Sequence, residues 1–238
     1  MKFIMQKTSS SHASQYNFYA LLSMIYITFI LIANVLIYKI VQIGSFSFTV
    51  GSFVTPFWFV ITDIVAEVYG YQLVRKLIWS GILCGLLFTV VCAILINLPS
   101  PSSWAHQHSY DQVLGKLPRI LVGYVAGVLT GAFINTYLIT KWKILTHGKY
   151  FWLRSVSSSM IGQLVFTIVT ISFDLLGILT SSDIIKLILI SMTIKLVVTP
   201  LLAVPSTILV YYLKKYERMD IYDYHTDFNP FKFKLESL

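Results

Sequence analysis

Asp63 and Glu67 stand four residues apart inside an apolar block. On a helix that spacing turns both carboxylates to one face. Two close carboxylates repel in a low dielectric, so the pair is costly there, and an ionisable group in such a block is a functional candidate by default. Thr55 lies two turns earlier on the same side. Glu67 also admits a plainer reading, at the cytoplasmic end of its helix and paired with Arg75 or Lys76. A second set repeats the pattern: Ser159, Gln163, Thr167, Thr170 and Asp174 recur at helical spacing on one face of another apolar block. Such a face suits a solute cavity or helix–helix hydrogen bonding. Asp174, at its end, could instead sit at the outer interface. Ser191, Lys195 and Thr199 recur every four residues in a third block. Lys195 is too deep to snorkel, so it needs a carboxylate or a polar ligand. Gly123, Gly127, Gly131 and Asn135 form a stripe on which two helices can meet backbone to backbone. Asn34 is a lone amide in the first block.

The elements that must position these groups are membrane-length helices. Of 238 residues, 56% are hydrophobic and 12% charged, and the mean hydropathy is +0.75. A helix crosses the hydrocarbon layer in roughly 20 residues. Six blocks satisfy this: Phe18–Tyr38, Phe46–Val68, Leu77–Asn97, Arg119–Ile139, Val156–Ile178 and Asp183–Leu213. The fold class is therefore all-α, six transmembrane helices in one bundle. Pro200 and Pro205 predict a kink or tilt in the last span, and Ser182 or Asp183 is expected to cap its start. Orientation follows from Lys and Arg. Thirteen would lie on the side of the termini, including Arg75, Lys76, Lys143, Arg154 and Lys214. Four, namely Lys39, Lys116, Arg119 and Lys186, would lie on the other. This predicts both termini in the cytoplasm. The domain plan is a cytoplasmic tail over 1–17, a six-helix transmembrane domain over 18–213 and a second cytoplasmic tail over 214–238. That second tail is expected to lie along the membrane surface or to be poorly ordered. The first block is longer than a signal-peptide core and reads as a retained span.

The net charge of +8 is spread over short loops and tails, so no nucleic-acid partner is expected. Cys84 and Cys92 share one face of one span and read as small buried hydrophobes. His106 and His108 lie in an outer loop with no further ligand set, so no metal and no cofactor are expected. No Walker loop and no nucleophile elbow occurs, so no catalytic residues are assigned and the chain is not read as an enzyme.

Longer motifs carry a resemblance. The stretch Thr62-Asp63-Ile64-Val65-Ala66-Glu67-Val68-Tyr69-Gly70-Tyr71, followed by Arg75-Lys76-Leu77-Ile78-Trp79, resembles the signature of the queuosine precursor transporter family, also called the vitamin uptake transporter family. Asn34, Lys39-Ile40, Pro118-Arg119-Ile120 and Phe133-Ile134-Asn135-Thr136-Tyr137 fit it too. So do Gly148-Lys149-Tyr150-Phe151-Trp152-Leu153-Arg154 and Ser158-Ser159-Met160-Ile161-Gly162-Gln163. The resemblance implies six helices in a bacterial inner membrane and uptake of 7-deazaguanine precursors, the cyano form (preQ0) or the aminomethyl form (preQ1). It also implies transport without an ATPase module. Leu164, Val165 and Phe166 stand where family members often carry an acidic residue, and the region of Thr199 lacks the glutamate that often follows the span-six lysine.

A deazaguanine offers two adjacent donors beside a carbonyl acceptor, and a carboxylate can accept both. The candidate substrate-binding residues are Asn34, Asp63, Glu67, Asn135, Gln163, Thr167 and Lys195, with Phe59 and Phe166 as stacking candidates. The expected partners are this small molecule, the lipid bilayer and a second copy meeting through the span-four glycines. The competing reading is a substrate-binding subunit of a multi-component importer, docked through the same glycines.

Overall fold

The computed structural model describes residues 16–37, 39–44, 46–101 and 103–232. Most of the expected N-terminal tail and the last six residues lie outside the described residues. The first span is α1 (Asn17–Leu36). It leads into an antiparallel hairpin, β1 (Ile40–Ile43) and β2 (Phe46–Thr49), with Ile40 opposite Thr49 and Gly44 at φ 62° in the turn. The next helices are α2 (Val50–Tyr69), α3 (Tyr71–Ile96) and the short α4 (Gln107–Leu114). The fourth span is built from α5 (Leu117–Gly127), a π-turn over Val128–Ala132 and α6 (Phe133–Leu145). Finally come α7 (Phe151–Leu175) and α8 (Ser181–Glu217). Six helical segments are long and apolar enough to cross a membrane.

Three expectations change. Residues 46–49, expected to open the second span, are strand: Phe46, Phe48 and Thr49 are residue types that favour extended backbone, and helix begins only at Val50. The cap of α8 is Thr180, whose hydroxyl accepts from the Asp183 amide at 3.3 Å. The tail after α8 is bound rather than loose. Tyr71 donates its hydroxyl to the Phe228 carbonyl, Arg75 to the carbonyls of Asp227 and Asn229, and Trp79 to that of Pro230. The Asp223 carboxylate receives the Tyr71 amide and the Thr226 hydroxyl, although burial holds its pKa above the usual range.

The bundle is organised around α2. Seventeen of its twenty residues are buried, all but Val50, Phe53 and Phe57, and it packs on α1, α3, α6, α7 and α8. By contrast α3 and α8 present Leu83, Leu87, Ile94, Leu189, Leu196 and Leu201 to the outside. An exposed apolar belt is the surface a lipid-facing helix needs. The polar stripes of α7 and α8 turn inward, with Ser159, Gln163, Thr167, Ser191, Lys195 and Thr199 all at most 3% exposed.

The glycine stripe is used within the chain. A Cβ at Gly127 would meet Thr170 Cγ2 at 2.6 Å, and one at Gly131 would run into the Gly162 carbonyl oxygen, both on α7. The stripe is therefore not available as a surface for a second copy or for an ATPase subunit. The opposite case is Gly85, where a Cβ would find its nearest atoms at 3.8 Å. We expect Gly131→Ala to lower the unfolding midpoint of the detergent-purified protein, by about 1–3 kcal/mol of overpacking, while Gly85→Ala leaves it within about 0.5 kcal/mol; thermal melts of both variants check this.

Candidate functional site

The polar residues of the bundle divide into two groups along its axis. In the group nearer the C-terminal tail the buried charges are paired. Asp63, with no exposure, accepts three hydrogen bonds: from Asn135 Nδ2 at 2.7 Å, Ser155 Oγ at 2.6 Å and Ser159 Oγ at 2.8 Å. One helical turn on, Glu67 takes Arg154 in a two-pronged pair, Nη1 to Oε2 at 2.9 Å and Nη2 to Oε1 at 3.1 Å. Lys214 adds a third contact to Oε1 at 2.6 Å. These contacts join α2 to α6, α7 and α8. Below them, buried Lys143 donates to the carbonyls of Glu67 and Ile221 and pairs with Asp220 at 2.6 Å, and Lys214 also reaches Asp220 at 2.9 Å. Burial raises the Asp220 carboxyl, but the two lysines outweigh it and hold it below the usual carboxylate range.

The group nearer the hairpin surrounds a cavity with an empty volume of about 600 Å³, its open mouth included. Ile30 and Asn34 of α1, Ser52, Thr55 and Trp58 of α2, and Tyr124 of α5 line it. So do Phe166, Thr167, Thr170 and Asp174 of α7, with Ser191 and Lys195 of α8. An adjoining cavity shares Thr49, Ser52, Asp174 and Ser191 and reaches Phe48 of the hairpin. Trp58 and Phe166 meet edge to face, 5.2 Å between centroids, and form an aromatic wall backed by Phe59. Lys195 is 2% exposed. Its ammonium donates to Thr167 Oγ1 at 2.6 Å and lies 5.7 Å from the Phe166 ring centre. Among the described residues no carboxylate comes within ion-pair distance of it. Thr167 in turn donates to the Gln163 carbonyl, and the Gln163 amide faces Thr199 at 3.2 Å.

Four of the sequence-derived candidates thus line the cavity: Asn34, Thr167, Lys195 and Phe166. Phe59 and Gln163 stand one layer behind. Asp63, Glu67 and Asn135 lie elsewhere, in the paired group. Glu67 is paired with Arg154 and Lys214 rather than with Arg75 or Lys76, because Arg75 is turned to the tail's carbonyls. Asp63 and Glu67 share a side of α2, yet their charges are met by separate sets of donors. Sequence reasoning placed Asp174 at the end of its stripe without naming it a candidate, and it lies in the wall of both cavities. Ser155 escaped notice although it continues the stripe by one turn before Ser159. Arg154 and Lys214 carried no signal as partners, since neither lies near Glu67 in sequence. Among the described residues no group of three or more His, Cys, Asp or Glu could hold a metal ion.

Six membrane-length helices around a polar cavity define a multi-pass α-helical membrane protein. Residues 49–210 match the family described as "Putative vitamin uptake transporter", and the chain belongs to that vitamin uptake transporter family, a family of transporters rather than enzymes. Two relatives carry more specific names. The "Probable queuosine precursor transporter" of Bacillus subtilis (strain 168) is 26% identical over 147 residues, 61% of this chain and 64% of its own length. The "Queuosine precursor transporter" of Escherichia coli (strain K12) is 23% identical over 158 residues, 66% of this chain and 69% of its own. The chain thus spans just under two thirds of the Bacillus relative. No solved structure matches it significantly.

The paired group makes a stability prediction. Glu67→Ala strands the Arg154 guanidinium, while Lys214 keeps Asp220, and is expected to cost about 3–5 kcal/mol. Asp63→Asn replaces an acceptor with a donor opposite three donors and is expected to lower the melting midpoint as well. Lys186→Ala, which removes an exposed pair with Asp183, should leave it nearly unchanged. Melting of the three purified variants tests the ranking.

Proposed function

We propose that this chain imports 7-deazaguanine precursors of queuosine across the bacterial inner membrane, preQ0, preQ1 or both, with residues 18–213 as the transport domain. The observation that carries the reading is the cavity between α1, α2, α5, α7 and α8, where a buried lysine stands beside an aromatic wall with no counter-ion among the described residues. The names of the two relatives supply the substrate class. The excess of Lys and Arg on the side of the termini supports an orientation with both tails in the cytoplasm. In that orientation the hairpin and the cavity face the outside, and the ion pairs of Glu67 lie on the cytoplasmic side.

A flat base entering from the hairpin end would rest against Phe166 and Trp58. Its ring carbonyl would accept from Lys195, whose ammonium keeps unused donors beside Thr167. Asn34, on the facing helix, offers an amide with no partner among the described residues. Gln163 orients Thr167 from behind. Asp63, Glu67 and Asn135 contribute at a distance, by fixing the helices that carry the lining residues. A site built from buried polar groups discriminates strongly, because the wrong base leaves those groups unpaired.

The test is uptake in a bacterium deleted for queuosine synthesis and for its own precursor importer, with this chain expressed alone and nanomolar precursor supplied. Queuosine should return to tRNA, and comparison of the two precursors reads the preference. No return, with the protein verified in the membrane, would sink the reading. Lys195→Met is expected to reduce uptake by about 10- to 100-fold, the loss of a charged hydrogen bond, without reducing the amount of protein in the membrane.

A further inference from the structure

Asp174 is 4% exposed and lies in the last turn of α7. It is part of the wall of both adjoining cavities. Its Oδ1 is buried with no hydrogen-bond partner, and among the described residues neither oxygen receives a hydrogen bond or an ion pair. The other two buried carboxylates of the bundle are treated differently: Asp63 has three donors and Glu67 has two cations. Burying a carboxylate without a partner is costly. The Arg119 guanidinium donates through Nε and Nη2 to the carbonyls of Phe173 and Leu176 and reaches Asp174 only as a nearby charge, with no hydrogen bond to it. Oδ1 is packed against α5, where a Cβ at Gly123 would lie 2.5 Å from it. Thr167, which holds the Lys195 ammonium, is seven residues earlier on α7, so cation and carboxylate stand about two turns, or roughly 10 Å, apart along one cavity. A planar base whose carbonyl acceptor stands beside its two donors can face both, its carbonyl turned to the ammonium and its donors to the carboxylate.

We propose that Asp174 is the specificity-determining acceptor of the cavity, taking the exocyclic amine and ring N–H of a guanine-like base whose carbonyl meets Lys195. This rests on the functional reading above. The ligand completes the carboxylate's hydrogen bonding, which the protein leaves open. Bases lacking the exocyclic amine leave it open still and bind less well.

Binding of the neutral cyano base, and of its analogue without the exocyclic amine, is measured by calorimetry on purified full-length wild type and Asp174→Asn. The wild type should prefer the aminated base. The variant should bind that base about tenfold or more weaker and bind the analogue as the wild type does. Equal loss of both ligands, or loss of neither, overturns the assignment of Asp174. A wild type that binds neither base overturns the functional reading itself. Should Asp174→Asn fail to assemble, Gly123→Ala displaces the same carboxylate and must show the same selective loss.

Discussion

The two-pronged pair between Glu67 and Arg154, with Lys214 as third partner, is the interaction on which the rest of the bundle depends. A carboxylate at that depth is unaffordable alone, and the guanidinium fork satisfies both of its oxygens at once. The consequence reaches beyond the pair. Glu67 belongs to the central helix, Arg154 to the start of α7 and Lys214 to the end of α8, so one residue sets the relative height of three spans. Asp63, a turn away, repeats the device with neutral donors and adds α6. Removing either partner of such a pair costs more than the pair contributes, because the remaining charge is stranded.

That arrangement makes the molecule asymmetric along the membrane normal. One end is packed with charges that satisfy each other and is covered by the C-terminal segment, whose carbonyls are held by Tyr71, Arg75 and Trp79. The other end keeps polar groups with unfilled hydrogen-bonding capacity, Asn34, Lys195 and Asp174, around an open cavity. A transporter needs such a difference: the closed end must be held by interactions that can be exchanged for others, and the open end must offer valences to a solute. Salt bridges and hydrogen bonds suit the first task because each can re-form with a new partner. In a greasy seal, separation would simply expose apolar surface.

Much of this was legible in the residues. Six apolar blocks gave the spans, because the thickness of a bilayer fixes helix length independently of tertiary detail. Helical spacing placed the stripes of α7 and α8 on inward faces. What periodicity cannot supply is a choice among inward-facing groups. Asp63, Glu67 and Asp174 all read as costly carboxylates, and only the fold tells which meet donors from distant segments. Arg154 and Lys214 lie 87 and 147 residues from Glu67, beyond any local pattern. The hairpin was hidden because Phe46–Thr49 is as apolar as the helix it precedes. The bound tail was hidden because many of its anchors are backbone carbonyls, which every sequence possesses.

The π-turn at Val128–Ala132 has a consequence of its own. Residues spaced by four advance about 40° too far per step on a straight α-helix, since each residue turns about 100°. Over Gly123, Gly127, Gly131 and Asn135 the error would reach about 120°, enough to swing the last member off the face of the first. A π-turn closes on the fifth residue and takes up one residue more than an α-turn, which winds the helix back by about that amount. The two halves of the fourth span are thereby kept in phase against α7, with Gly123 beside Asp174 at one end and Asn135 bonded to Asp63 at the other. The length of that turn, and not only its sequence, sets the angle at which the span addresses both carboxylates. Deleting a single residue there would rotate one of them out of reach.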